Sequence, residues 1–300
     1  MTIIPVRHTE RAPMVWLNGR LCDERSPGLS PLDRGFTLAD GLFETMRAGD
    51  GVVFRLDAHL ARLRAGARRL ALALPPDLEH TVLDALHAAH DAGIAHATVR
   101  ITVSRGPGIP GVAPPRDAHT TVVIAIAPLP AFPASLYTDG VAACIASGRR
   151  NERAMTAGLK TLAYTDNIAA LMEAVHAGAD DALFLDTEGH LCEATSSNVV
   201  LYVDDGLVTP AASCGALPGI TCAALLELAR PLGIAAQERI VTTEDLARAE
   251  EAFLTSSVRE IVPLVRVNGT NVGRGVPGPM TSRLRSAYAE LVESERAAHR

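Results

Sequence analysis

Pro128, Pro130 and Pro133 fall within the eight-residue stretch Pro128–Ser135. No long regular element crosses such a stretch, because each proline lacks a backbone N–H and fixes φ at about −65°. A chain of 300 residues broken at this point reads as two cores rather than one. The expected organisation is a smaller N-terminal α/β domain over residues 1–127, a proline-rich linker over 128–138 and a larger C-terminal domain over 139–300.

Local pattern fills both halves. Val15–Leu21 reads as strand, turn and strand around Asn18-Gly19, a dipeptide that accepts positive φ. From Asp57, a candidate N-cap, the apolar positions Leu60, Leu63, Ala67, Leu70 and Leu74 recur at helical spacing until Pro75-Pro76. A second helix covers Leu78–Ala92, and Ala97–Ser104 and Thr120–Ala127 are β-branched enough for buried strands. In the second half, Thr165–Ala177 is a helix with Ile168, Leu171, Met172 and Val175 on one face, ending at Gly178. Ala182–Asp186 and Leu191–Thr195 flank the Thr187-Glu188-Gly189 turn, and Asn198–Val203 returns through Asp205-Gly206 into Leu207–Thr209. Another helix runs over about Thr221–Leu232. Strands are grouped rather than strictly alternating with helices, which favours an α+β fold over a doubly wound parallel sheet.

Composition removes several function classes. A net charge of −6 with no basic block along one face argues against nucleic acid; the run Arg62, Arg64, Arg68 and Arg69 reads as a solvated helix face. Cys22, Cys144, Cys192, Cys214 and Cys222 form no CxxC pair, so reduced thiols in a cytoplasmic protein are expected, not a zinc site or disulfide framework. His87 and His90 are helically spaced but lack a third ligand, so no metal is expected. The start, Met1–Arg7, has no targeting pattern, and no apolar run reaches the roughly 18 residues that span a bilayer.

Lys160 is the one lysine among 28 Lys+Arg residues. An arginine stays protonated at working pH, whereas a lysine amine loses its proton, attacks a carbonyl and forms a Schiff base. Three further signals suit a phosphorylated pyridine aldehyde held on that amine. Tyr164, four residues on, offers a phenol to the ring oxygen, and Glu193 sits on a strand where its carboxylate keeps a ring nitrogen protonated. Thr221 opens a helix behind Leu217-Pro218-Gly219-Ile220, where free N–H groups receive a phosphate, and Thr255-Ser256-Ser257 adds hydroxyl donors. Each has an ordinary reading as core aromatic, strand-edge carboxylate or loop-to-helix entry; their conjunction is the signal.

GLKTLAYTDNIAA, LCEATSSNV, GALPGIT, FLTSSVREIVPL, LDRGFTLADGLFETMR and VFRLDAHLARL together resemble the class IV aminotransferase family, from about Leu17 to Pro279. The resemblance implies the D-amino-acid aminotransferase-like fold of two α/β domains with pyridoxal 5′-phosphate between them, and a homodimer in which a loop of one subunit closes the other's site. It implies that Lys160 forms the Schiff base and moves the proton, and that Glu193 pairs with the pyridine nitrogen while Tyr164 contacts the ring hydroxyl. Arg55, Leu217, Ile220, Thr221, Ser256 and Ser257 are implied around the cofactor, chiefly at its phosphate.

The family contains branched-chain L-amino-acid, D-amino-acid and (R)-amine transaminases and aminodeoxychorismate lyases. Phe43-Glu44-Thr45 where branched-chain enzymes carry FEG, Thr98 in place of an aromatic, and Ser104–Gly108 (SRGPG) lean towards a D-amino-acid or (R)-amine transaminase using a 2-oxo acid. Branched-chain transaminase, aminodeoxychorismate lyase and a non-catalytic cofactor carrier are the alternatives. Arg100, inside a strand, and Arg105, opening a Gly/Pro loop, are the candidates for gripping a substrate carboxylate.

Overall fold

The structure is a computed structural model that describes residues 12–22 and 28–299. The segment Met1–Arg7, read above for targeting, lies outside the described residues. Two compact units form: one holds the described residues up to Ala131 together with Leu159–Ala163 and the described residues from Glu295 on, the other holds Phe132–Gly158 and Tyr164–Ser294.

In the first unit β1 (Met14–Leu17) and β2 (Arg20–Cys22) meet across Asn18 and Gly19, both at positive φ, as the Asn-Gly signal demands. They are followed by α1 (Arg34–Leu38), β3 (Gly41–Gly49), β4 (Val52–Val53), α2 (Leu56–Arg69), α3 (Leu78–Asp91), β5 (His96–Ser104) and β6 (Thr121–Pro128). The strands form one sheet in the order β2-β1-β6-β5-β3-β4. Alternation sends Leu42, Met46, Val99 and Ile101 to the core face, where Leu60, Leu63, Val82 and Leu86 of α2 and α3 join them. The other face presents Phe43, Thr45 and Arg47 beside Thr102, Arg100 and Thr98, their direct cross-strand partners.

Helix α2 departs from expectation at both ends. Its N-cap is Arg55, at φ 55° with no side-chain cap, while Asp57 lies inside the first turn where its charge meets the helix dipole. It stops at Arg69 rather than at Pro75, because Ala71 turns left-handed at φ 47° and breaks the ladder first.

The second unit contains α4 (Ser135–Thr138), β7 (Val141–Arg150), α5 (Thr165–His176), β8 (Asp181–Asp186), β9 (Leu191–Ala194), β10 (Asn198–Val203), β11 (Gly206–Pro210), α6 (Ile220–Ala229), β12 (Ala235–Arg239), α7 (Thr243–Arg248), β13 (Glu251–Ser256), β14 (Glu260–Val267), β15 (Thr270–Asn271) and α8 (Pro279–Ala298) as far as Ser294. Its nine-stranded sheet runs β12-β11-β10-β13-β14-β7-β8-β9 with β15 on β14. Glu193 of β9 pairs back to Asn198 of β10, which closes part of the path into a ring. Among the described residues no helix is long and apolar enough to cross a membrane.

Three expectations are corrected here. The linker is shorter than 128–138: Pro128 still pairs with Ala97 as the last residue of β6, and buried Leu136 draws Ser135–Thr138 into α4. Residues Leu159–Ala163 leave the expected C-terminal domain, because Phe43 N–H donates to Lys160 C=O at 2.9 Å and Leu162 N–H to Gly41 C=O at 3.1 Å. On α5 the buried face is Asn167, Ala170, Ala174 and Val175, with Ile168 60% exposed. Alanines win because Cys144, Ala146, Ala182 and Phe184 of β7 and β8 pack close against that face.

Candidate active site

Lys160 lies in an extended segment pinned to β3. Besides the two backbone bonds already given, Leu42 bridges Thr161, so the lysine and the two residues after it are fixed to one strand. Its Nζ stands 4.5 Å from the centroid of the Phe43 ring, and the Arg100 guanidinium lies 3.9 Å from the same centroid. The ring's negative face attracts both cations. Arg100 also reaches Thr45 Oγ1 at 3.5 Å.

On the core side of β3, Glu44 is fully buried and accepts from Arg62 Nε at 2.8 Å and Nη2 at 2.7 Å, with His59 Nδ1 at 2.8 Å. Burial pushes the Glu44 carboxyl up, but Arg62 and His59 outweigh it and hold it below the usual carboxylate range. Burial holds His59 below its ordinary value against the pull of Glu44, and the charges of Arg62 and Lys160 push it the same way. The neutral imidazole and ionised carboxylate form a satisfied polar cluster directly behind the lysine-bearing strand pair.

Arg105 is committed elsewhere than to a substrate. It forks onto Asp40 through Nε at 2.8 Å and Nη2 at 3.0 Å, and donates to Ala71 O and Leu70 O, both at 2.9 Å. Arg34 adds a second guanidinium at 2.8 Å, and the pair overcomes burial to hold Asp40 below the usual carboxylate range. Arg105 is thus a structural ion pair fixing the loop after β5. Arg55 Nε donates to Glu295 Oε1 at 2.7 Å, and its guanidinium stands 5.6 Å from the Phe54 centroid.

In the second unit Glu193 is held by its side chain. Its Oε2 accepts from Leu217 N–H at 2.9 Å and its Oε1 pairs with Arg150 Nη2 at 3.1 Å; Arg150 in turn stacks on Phe184, 4.3 Å from the centroid. Asn198 Nδ2 donates to Leu217 C=O at 2.7 Å, so both backbone polar groups of Leu217 are tied down. A Cβ at Gly219 would fall on Asn198 Oδ1, so any larger residue there must displace the Asn198 side chain. Gly219 caps α6 without a side chain, so the first-turn N–H groups at Ile220 and buried Thr221 have no side-chain cap. Helix α6 packs on β13, whose end carries Ser256 with Ser257 in the following turn. Tyr164 opens α5 as its half-buried N-cap.

These residues fit a phosphorylated pyridine cofactor. An uncapped helix start behind Gly219 suits a phosphate, and a carboxylate fixed by a backbone N–H and an arginine suits a ring nitrogen. Within the first unit the structure brings together Lys160, Phe43 and Arg100; within the second, Glu193 and Leu217, with Ile220 and Thr221 following on α6. Sequence reasoning gave no role to Arg150 or His59, used Phe43 and Glu44 only as family markers, and read Arg62 as part of a solvated helix face, whereas its side chain is 12% exposed and paired with Glu44. Glu44 was detectable as a charge on the apolar face of an alternating strand.

The Amino-transferase class IV family profile matches residues 41–267. The chain is 28% identical to a solved Escherichia coli branched-chain amino acid aminotransferase, covering 94% of this chain and 95% of that one, with a TM-score of 0.87. A solved 4-amino-4-deoxychorismate lyase from Pseudomonas aeruginosa is similar at 33% identity over 91% of this chain and 97% of its own, TM-score 0.80. A D-alanine aminotransferase of Bacillus licheniformis is 28% identical over 94% of this chain and 98% of its own length.

Proposed function

The chain belongs to the amino-transferase class IV family, enzymes that use pyridoxal 5′-phosphate, and from that premise we propose that it moves an amino group from a D-amino acid or (R)-amine to a 2-oxo acid. When bound, the cofactor supplies an electron sink for charge developing at the substrate carbon. Lys160 Nζ would hold the cofactor through its aldehyde and would serve as the base that takes and returns the substrate proton. Its backbone, pinned to β3, limits where that amine reaches, and the Phe43 ring lies beside it. Glu193 keeps a proton on the ring nitrogen, while the α6 N-terminus with Ser256 and Ser257 holds phosphate; Arg55 adds a guanidinium to the same anion. Arg100 grips the substrate carboxylate.

The observation that carries the reading is the sole lysine fixed by its backbone beside Phe43 and Arg100. The stereochemical lean rests on Thr98, on Phe43-Glu44-Thr45 and on the loop Ser104–Gly108. Likeness to the E. coli branched-chain enzyme favours a second reading, transamination of branched-chain L-amino acids. Single-turnover reactions of the cofactor-loaded protein with D-alanine, (R)-amines and L-leucine, followed by absorbance, separate them. Rapid reaction with D-alanine and slow reaction with L-leucine is expected; the reverse establishes the second reading. Pyruvate released from aminodeoxychorismate without amino-group transfer makes the protein a lyase, and no spectral change with any donor makes it a carrier.

A homodimer is part of the same proposal. It is supported by the exposed apolar side chains Phe36, Ile109 and Val112, and by Arg34 donating to Gly111 O and Val112 O at 2.9 Å, which holds the loop that carries two of them. Light scattering on the purified protein tests it: the mass of two chains is expected, and the mass of one excludes the dimer.

A further inference from the structure

The end of α8 closes on the corner of the first unit where β3, β4 and α2 follow one another. Glu295 and Arg296 are neighbours in sequence, and they hold the chain on opposite sides of β4. Just after that strand, Arg55 Nε donates to Glu295 Oε1 at 2.7 Å; just before it, Asp50 Oδ2 pairs with Arg296 Nη1 at 3.4 Å. A Cβ at Gly49 would lie 2.8 Å from Arg296 Nη1, so glycine at the end of β3 leaves that guanidinium its place. Arg55 is constrained in its backbone as well. Its φ of 55° and ψ of 41° put a non-glycine residue in the left-handed region, while its carbonyl accepts the first bond of α2, from His59 N–H at 3.1 Å. Backbone strain of this kind persists only where the surroundings enforce it, and it sets where the side chain leaves the chain. An arginine carries five N–H donors in one planar fork, so a carboxylate on Nε fixes the plane of the guanidinium without taking every donor.

We propose that Glu295 is a positioning residue for the cofactor: it holds the Arg55 guanidinium ready for the phosphate of pyridoxal 5′-phosphate, so that the end of α8 sets cofactor affinity. The inference rests on the assignment of Arg55 to that phosphate under the proposed function. Glu295 acts through Arg55 and not on the phosphate itself, which its own negative charge repels. The two effects have opposite signs. With side chains 25% and 27% exposed, water screens the repulsion, while an arginine held before binding has less rotamer freedom to lose when the anion arrives.

Titration of the full-length chain, stripped of cofactor, with pyridoxal 5′-phosphate and with pyridoxal reads binding without turnover. Glu295→Ala is expected to weaken the phosphorylated cofactor about three- to fivefold and to leave pyridoxal within about twofold, as the loss of one preorganised side chain does. Glu295→Gln, whose amide oxygen still accepts from Nε, should restore part of the loss, and it serves if Glu295→Ala does not fold. Added to Arg55→Ala, Glu295→Ala should have no further effect, because the side chain it positions is gone. Equal weakening of both cofactors in both backgrounds makes Glu295 a purely structural residue and overturns the proposal. Tighter binding of pyridoxal 5′-phosphate by Glu295→Ala shows repulsion to be the larger effect and overturns it too. Failure of the underlying assignment is distinguishable: Arg55→Ala alone would then weaken both cofactors alike, and the role of Glu295 falls with it.

Discussion

Lys160 and Glu193 are positioned by opposite means. The lysine is fixed through its backbone, with Phe43 N–H on its carbonyl at 2.9 Å, and its amine rests over an aromatic ring. The glutamate is fixed through its carboxylate, by Leu217 N–H at 2.9 Å and Arg150 at 3.1 Å. The difference matches their chemistry. A group that must exchange a proton and a covalent bond needs a rigid base but an adaptable head, whereas a group that holds a charge steady needs the charged atoms themselves immobilised.

Replacing each residue probes the contrast, and the largest effect belongs to Lys160. Lys160→Ala should lower single-turnover transamination by several orders of magnitude, because the covalent catalyst and the proton carrier vanish together. Its thermal unfolding should change little, since backbone pairing to β3 does not use the amine. Retained turnover would place the chemistry on another residue.

Glu44→Gln strikes the support behind that lysine. Removing one partner of a buried ion pair costs about 3–5 kcal/mol in unfolding by urea, against about 0–1 kcal/mol for Arg153→Ala, whose side chain is 75% exposed. The same cluster predicts the sign of the pH dependence. Both folded values are held below their unfolded ones, so the unfolded chain binds more protons and stability falls on acidification. The loss begins below about pH 6.5 as unfolded His59 protonates and deepens below about pH 4.3 with Glu44. Stability that rises as pH drops through 6 to 4 would contradict the neutral His59 and ionised Glu44.

Glu193→Gln should keep the cofactor, since the amide still faces Leu217 N–H, yet raise the barrier to proton abstraction by about 1.5–3 kcal/mol. Unchanged single-turnover rates would remove Glu193 from the ring nitrogen. The smallest effect is at Arg55: Arg55→Ala should weaken pyridoxal 5′-phosphate about tenfold and pyridoxal hardly at all, as loss of a charge-assisted phosphate contact does. Equal weakening of both would assign Arg55 to its Glu295 pair alone.

The chemistry of the site was more legible than its support. Lys160, Glu193 and the Leu217–Thr221 helix entry stand out because each residue type is unusual for its place. Strands β5 and β6 and the Asn18-Gly19 turn follow from β-branched runs and turn chemistry. Strand β3 escaped because Glu44 sits on its apolar face, and only Arg62 and His59, 18 and 15 positions away, make that tolerable. The attachment of Leu159–Ala163 to β3 left no local pattern, being a backbone pairing between segments more than a hundred residues apart. An arginine at a Gly/Pro loop, such as Arg105, reads the same in sequence whether it faces substrate or Asp40, to which it pairs here.

The central claim is that Lys160 carries the cofactor. Borohydride treatment of protein saturated with pyridoxal 5′-phosphate, followed by peptide mapping by mass spectrometry, tests it directly. The account predicts loss of the visible absorbance band and a single phosphopyridoxyl adduct on the peptide containing Lys160. An unmodified Lys160 in saturated, reduced protein would contradict it.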